Sequence, residues 1–454
     1  MVRPVTNIEF EGLLLSAGYT DGGHGAFARQ VNHAGRAFGA WRYDAASVYW
    51  WLRGRRPAEQ VQVAMTEILA RKLGRPVQAT ELGFTTRYVS SQGAYPTSIS
   101  QMIDTADRAW FELSRQISGH SVAAFQPGIA LQAALAWRYD GTDHAADHAG
   151  KRPVTMADIK SLHVVAESFT DLDRRHGGGS ARTRVMMADF LSHQVSPMLK
   201  GTYTDRTGRH LMRAAAVLSG QLAFMCYDAG DHGVAQHHVT IALRLAKAAD
   251  DRHYGAHLLA NLATQAIHLG HAQDAIRLAE AAIDGVGLPT PTIRARLYST
   301  AASAYGRVGD RRACQKALSK AERALNQTVT DDNPSWATYF GPAHLAGAAI
   351  RCLGDLGLHR QALRHAVDAM ALDATNSRTR ALHTALIATT HAHAGDIDSA
   401  CTWGNDLAVL APQVNSARVT SRIRELCAHL SPHRTVRRVD EVLQCLTAEG
   451  TSPA

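Results

Sequence analysis

The sequence predicts an all-α protein in which a small N-terminal helical domain precedes a long array of helical hairpins. Three observations carry this reading. In the second half a Gly closes one apolar helix and an Ala five residues on sits in the next, at Gly230/Ala235, Gly270/Ala275, Gly357/Ala362 and Gly395/Ala400, with Cys314 in the Ala place after Gly309. A second small or apolar residue follows seven positions later, at Ala242, Ala282, Ala321, Ala369 and Leu407. Successive glycines fall roughly forty residues apart, the period of a helical-hairpin solenoid, which presents an extended concave surface.

Residues 8–18 (IEFEGLLLSAG) and 24–32 (HGAFARQVN) read as the first two helices. Asp44 caps a third, short helix through Leu52, because its carboxylate can accept the exposed amides of the first turn. Gly54 stops that helix and Pro57 restarts the chain in PAEQVQVAMTEILARKLGRPV. On the short helix Ala46, Ser47, Tyr49, Trp50 and Arg53 point outward, while Val48, Trp51 and Leu52 turn inward. Polar and aromatic tips followed by an Arg-rich turn suit insertion into a DNA major groove. The expected contacts are base readout by Ser47, Tyr49, Trp50 and Arg53, and phosphate contacts by Arg29, Arg42, Arg55 and Arg56.

Residues 97–118 form an amphipathic helix with Ile99, Ile103, Ala106, Trp110 and Leu113 on one face, a connector or part of a dimer contact. The polar stretch 139–153 (YDGTDHAADHAGKRP) reads as a linker. His144 and His148 would share a face with Asp143 and Asp147 there if it were helical, but nothing pre-organises a metal site. GGG at 177–179 lacks the Lys-Ser/Thr ending of a phosphate loop and reads as a helix-to-helix turn. These boundaries give a DNA-binding domain over residues 1–90, a helical connector over 91–153 and a repeat region over 154–450.

In each repeat, Gly supplies the left-handed cap conformation and Ala lets the two helices approach closely. The runs around Gly270 and Gly309 resemble tetratricopeptide repeats, with Ala263, Ala302 and Ala388 at the small position of the first helix, Tyr305 at the aromatic position and Pro412 as the terminating proline. The period is longer than in the strict repeat, so the loops must be extended. In such hairpins the first helix of each pair lines the concave groove. Aligning the units on their closing glycines puts Gln221 and Asp228 there, then Asn261, Thr264 and His268, then Arg296, Thr300, Ser303 and Arg307, and finally His344 and Arg351. Asn can donate to and accept from a peptide backbone, and Arg can hold a carboxylate bidentately. The expected ligand is a short peptide or a small acidic effector.

The phrase SVYWWLRGRRP resembles the helix-turn-helix of the XRE (Cro/repressor-like) superfamily, with a longer loop before the recognition helix. Taken with VN…RYDAASVYWWLRG…LARKLGRPV…LGF, LDRRHGGGSARTRV and VSPMLKGTYTDRTGRHLMRAAAVLSGQLAFMCYDAG, the chain is similar to a family of actinobacterial transcriptional regulators. These join an N-terminal helix-turn-helix to a C-terminal tetratricopeptide-like region, as in NsdA-type negative regulators of differentiation. The resemblance implies a DNA-binding regulator. By architecture alone the chain also resembles the peptide-sensing quorum regulators of Gram-positive bacteria.

Composition agrees with such a protein. The net charge of +8 favours acidic partners. No apolar run reaches membrane-spanning length and no signal peptide opens the chain, so the expectation is a cytoplasmic protein without membrane association. The six cysteines lack metal or disulfide-framework spacing, and Cys226, Cys314, Cys352, Cys401 and Cys427 fall inside apolar helices as core residues. There is no HExxH and no nucleophile elbow, so no enzyme and no cofactor are expected. His237, His238, His391 and His393 are expected on solvated or groove-facing surfaces. The reading is a dimeric repressor of a double-stranded DNA operator; the other reading is an adaptor whose N-terminal domain binds a protein.

Overall fold

The computed structural model describes residues 7–20, 23–34, 41–55, 57–73, 77, 79–84, 95–115, 124–141, 150–327 and 333–450. They form an all-α protein, whose extended pairing among the described residues is a single parallel bridge between Pro153 and Thr202. No helix among them is long and apolar enough to cross a membrane. The chain divides into two compact units, Met1–Gln92 and Gly93–Ala454.

The first unit contains α1 (Ile8–Ser16), α2 (His24–Ala34), α3 (Ala45–Trp51), α4 (Glu59–Leu73) and a single 3-10 turn at Ala79–Leu82. Its core gathers Phe10, Phe27, Val48, Trp51, Met65, Leu69 and Phe84. Phe10 packs against the rings of Phe27 and Phe84 at 5.8 and 4.9 Å. Two asparagines set the framework. Asn7 caps α1 by accepting from the Phe10 N–H at 3.0 Å, donates its side-chain amide to the Leu82 carbonyl at 2.9 Å, and donates its backbone N–H to the Leu52 carbonyl at 3.0 Å. One buried residue thereby joins the start of α1, the end of α3 and the closing turn. Asn32, near the end of α2, exchanges two hydrogen bonds with the Tyr43 backbone at 2.7 and 2.8 Å, fixing the chain just before α3 begins.

The second unit opens with α5 (Ile99–Ser114), α6 (Pro127–Tyr139), α7 (Met156–His176) and α8 (Ala181–Phe190), which runs through one π turn into α9 (Ser196–Leu199). Helical hairpins follow: α10 (Asp205–Asp228) with α11 (His232–Ala248), α12 (Arg252–His268) with α13 (Ala272–Gly285), and α14 (Pro291–Arg307) with α15 (Arg311–Leu325). Next, α16 (Pro342–Asp355) meets a broken return helix, α17 (His359–Ala362) and α18 (Ala366–Met370). The last pairs are α19 (Ser377–His393) with α20 (Ile397–Leu410), and α21 (Ala417–Leu430) with α22 (Arg437–Gly450).

The closing glycines explain the turns. Gly230, Gly270, Gly309, Gly357 and Gly395 have φ of +89°, +85°, +81°, +70° and +80°, a region that a Cβ disfavours. The N–H after each glycine reaches back over the cap to the carbonyl five residues earlier, as in Asp231 to Cys226 and His271 to Ala266, at 2.9 and 2.8 Å. Ala235, Ala275, Cys314, Ala362 and Ala400, the small residues five positions on, are all 0 % exposed. So are Ala242, Ala282, Ala321, Ala369 and Leu407. A larger side chain at these close approaches would force the paired helices apart. The first helices of consecutive hairpins then stack, α12 on α14, α14 on α16, α16 on α19 and α19 on α21, and make one continuous wall.

The segment read as a connector is part of this second unit. The apolar face of α5, with Met102, Ile103, Ala106 and Trp110, lies in the same core as α8 and α11. Within the chain, that face is covered by its neighbours. Trp137 on α6 fills the space above Gly255 and Gly285, where an added Cβ would lie 2.2 and 2.3 Å from its ring. Asp143, His144, Asp147 and His148 lie outside the described residues.

Gly177–Gly179 is indeed a turn between α7 and α8, and it does more than reverse the chain. The Gly179 N–H donates to the Asn415 carbonyl and the Asn415 N–H to the His176 carbonyl, both at 2.8 Å. The beginning of the array thus grips the loop before its final hairpin, while α7 packs on both α10 and α19. There is no room for side chains here: a Cβ on Gly178 would stand 2.6 Å from the Met225 Cα. Gly178→Ala is expected to lower stability by about 1–3 kcal/mol, the range for overpacking a tight site. Calorimetric unfolding of the variant tests this, and an unchanged transition would mean that the junction yields without cost.

Candidate functional site

Two surfaces collect the residues singled out by sequence. On the first unit, Asp44 caps α3 through a capping box: its carboxylate accepts from the Ser47 N–H at 2.8 Å, and the Ser47 hydroxyl lies within hydrogen-bond distance of the Asp44 backbone N–H. These bonds hold the Asp44 carboxyl below its ordinary range. The Ser47 hydroxyl also donates to Asp44 at 2.8 Å, so its first role is in the cap rather than as an open reader of bases. Val48, Trp51 and Leu52 are buried at 0 %, 3 % and 3 % exposure, whereas Trp50 is 40 % exposed. Tyr49 and Trp50 meet edge to face at 5.4 Å, and the Arg53 guanidinium lies 3.4 Å over the Tyr49 ring. Arg29, Arg42 and Arg55 are exposed, and Arg56 lies outside the described residues.

In the second unit, α7 and the first helices of the hairpins surround a cavity of about 250 Å³. Gln221, Asn261, Thr264, Arg296, Thr300, Ser303, His344 and Arg351 all line it, and His268 lines an adjoining chamber. Arg296 joins polar groups from two helices and a loop. Its Nε donates to the Tyr339 hydroxyl at 2.9 Å, Nη2 to the Asn261 carbonyl oxygen at 3.2 Å, and Nη1 to Thr300. Gln221 donates to the Thr170 hydroxyl at 2.9 Å, leaving its buried Oε1 without a partner.

Two residues expected in the groove are elsewhere. Asp228 is fully buried behind the wall, accepting from the Gly178 N–H at 2.9 Å and from the Ser416 hydroxyl at 2.8 Å, with Arg418 at 3.4 Å and Arg378 at 3.6 Å. It clamps the array instead of meeting a ligand, because the chain junction at Gly178 covers it. Arg307, at the far end of α14, is half-exposed and pairs with Asp355 at 3.2 Å. It falls one turn beyond the cavity. His237 and His238, expected on solvated or groove-facing surfaces, line neither chamber: His238 is buried and His237 half-buried, and desolvation pushes their pKa values down to about 3 and about 4.

Sequence reasoning passed over most of the lining. Trp336, Tyr339 and Phe340 come from the long loop between α15 and α16, and Tyr254 and His257 from α12. The rings form a chain: His257 contacts Trp336 at 5.0 Å, Tyr339 contacts His344 at 5.3 Å, and His344 reaches His383 at 6.3 Å. A concentration of aromatics between Pro334 and Pro342, in a loop rather than a helix, was the legible signal. Arg378 and Arg418, from the last two hairpins, complete the wall. Five arginines, Arg174, Arg296, Arg351, Arg378 and Arg418, face one lining carboxylate, Asp173. Arg378 bonds Asp173 at 2.5 Å. Burial opposes its charge, but Asp173 and Asp228 raise its pKa above the ordinary value.

One further cluster could in principle hold a metal: His393, Glu425 and His429 bring their donor atoms within 4.8 Å of one another. It is exposed, and Glu425 is already bonded to Arg422 at 2.6 Å, so it lacks the enclosed donor set of a structural metal centre.

A family model described as the SP15 N-terminal domain matches residues 12–85, which fall in the first unit. No curated protein matches the chain.

The neutral histidines of the second unit make its stability depend on pH. Burial depresses the pKa of His238 to about 3 and that of His383 to about 4, against 6.5 in an exposed site. A base whose folded pKa is lowered binds its proton first in the unfolded chain, so stability is complete above the ordinary value and declines as pH falls towards the folded one. Each such residue steepens the decline by up to about 1.4 kcal/mol per pH unit. Urea unfolding between about pH 7 and about pH 5 is expected to show this loss, reduced by about one proton's slope in His383→Gln. A variant as steep as the parent protein would show that His383 is not kept neutral.

Proposed function

We propose that the chain is a sequence-specific DNA-binding transcriptional regulator of the cytoplasm, acting as a homodimeric repressor, whose hairpin array senses a small effector. The observation that carries this reading is α3. Its buried side anchors Val48, Trp51 and Leu52, so Tyr49, Trp50 and Arg53 are presented on a rigid edge, with Arg29, Arg42 and Arg55 exposed in the same unit. A helix fixed in this way, bearing a planar guanidinium and aromatic edges, has the chemistry for a major groove, and the exposed arginines have the chemistry for phosphates. Pairing of two copies would double the contact and read two half-sites. Differential affinity of the effector for two states of the protein would couple the cavity to DNA binding.

The adaptor reading rests on the same patch, since exposed Trp, Tyr and Arg also anchor protein interfaces. DNA binding separates the two. An operator would be selected from random duplexes and its affinity for the full chain measured by fluorescence anisotropy over a salt series. Arg53→Ala should cost about 1–3 kcal/mol and relax sequence preference, while Arg55→Ala should weaken all duplexes alike and lower the salt slope by about one. If Arg53→Ala/Arg55→Ala/Arg56→Ala bound the selected duplex as the parent does, or if no duplex were enriched, α3 would not be a DNA reader.

A further inference from the structure

We propose that the cavity of the second unit takes a small organic anion carrying a flat ring, with the anionic group at the Arg351 end and the ring at the Trp336 end. This rests on reading the cavity as the effector site and narrows what the effector is. The main space of about 250 Å³ adjoins two smaller chambers. One, of about 50 Å³, is walled by His268, Arg351, Arg418 and Arg422. The other, of about 10 Å³, is walled by His257, Trp336, Tyr339 and Phe340 together with Arg296, whose donors are taken by Tyr339, Thr300 and Asn261.

Charge locates the anion. Arg296 is engaged by Tyr339, Thr300 and Asn261, Arg378 by Asp173, Arg418 by Asp228, and Arg422 by Glu425, while Arg174 is part-exposed and none of its nitrogens is enclosed without a partner. Arg351 is different: its Nε is buried without a hydrogen-bond partner, and Arg418 and Arg422 repel its charge. Arg351 is part-buried, and an enclosed guanidinium nitrogen with no acceptor, on a group that two neighbouring cations repel, is unfavourable; an incoming oxyanion relieves it. Carboxylates and phosphates match the fork of a guanidinium. The histidines do not supply this charge, since burial holds His257 and His344 at about 3. Neutral, they offer flat faces beside Trp336 and Tyr339 for a ring.

Size argues against an extended peptide. The volume sits just below the usual range of small-molecule sites, about 300–1,000 Å³. Aryl carboxylates and nucleoside monophosphates share the required chemistry, and matched probes distinguish them.

The purified full chain would be titrated calorimetrically, without DNA, with 2-naphthoate and 2-naphthamide, and with adenosine monophosphate and adenosine. In one pair the charged member should bind at least about tenfold more tightly than its neutral counterpart. Naphthoate alone points to an aryl carboxylate, the nucleotide alone to a nucleoside monophosphate. Arg351→Met should abolish the preference for charge while raising the unfolding temperature of the ligand-free protein, because it removes a part-buried cation whose Nε has no acceptor and which Arg418 and Arg422 repel. Trp336→Ala should weaken both members of the pair. Failure of both anions to bind at millimolar concentration, equal affinity of charged and neutral probes, or a preference that survives Arg351→Met would each overturn the proposal. Binding as expected with unchanged operator affinity would support it and would count against the regulatory reading alone.

Discussion

The second unit depends on a buried ionic cluster. Asp173 on α7, Asp228 at the end of α10, Arg378 at the start of α19 and Arg418 at the start of α21 come together where the array meets itself. Taking these charges out of water is costly, and such a cluster holds only if its remaining donors and acceptors are satisfied. The surrounding chain supplies them. Both Asp228 oxygens have partners, in the Gly178 N–H and the Ser416 hydroxyl, and Arg378 and Arg418 lie over the Phe224 ring at 4.9 and 5.7 Å. The three glycines matter here because backbone must touch backbone for the amides to reach.

Closure has a consequence for the interior. An open stack of hairpins has a groove; α7 and the last two hairpins add walls to it, and the cavity they border with the first helices remains partly open. The same arginines that hold the junction also charge the cavity. The extended loop between α15 and α16 adds the aromatic wall, so the residues that lengthen the repeat beyond its strict form have a definite place. Ala and Gly at the helix contacts keep the hairpins thin.

In the first unit the equivalent constraint is made by neutral groups. Asn7 and Asn32 fix the two ends of the segment that carries α3, and the Asp44–Ser47 box sets the helix start. With Trp51 and Leu52 locked in the core, the exposed edge of α3 has little freedom to reorient. A rigid presenting edge limits the entropy lost on binding, whichever macromolecule it meets.

Local physics made much of this protein readable from its sequence. The glycines had to adopt positive φ, the alanines five residues on had to be buried, and Asp44 had to cap α3, because each depends on neighbours within a few positions. Helical periodicity likewise assigned one face of each first helix to the groove, and eight of the groove residues chosen in this way line the cavity. Tertiary structure decided the rest. Asp228 has the periodicity of a groove residue, yet a turn fifty residues earlier covers it; Arg307 has the same phase but lies beyond the cavity's end. The amphipathic face of α5 gave no hint of what would cover it. Most of all, the meeting of Asp173 with Arg378, and the loop that brings Trp336 to His257, join segments far apart in the chain. No local rule encodes such contacts, which arise only when the hairpins stack far enough for the array to close on itself.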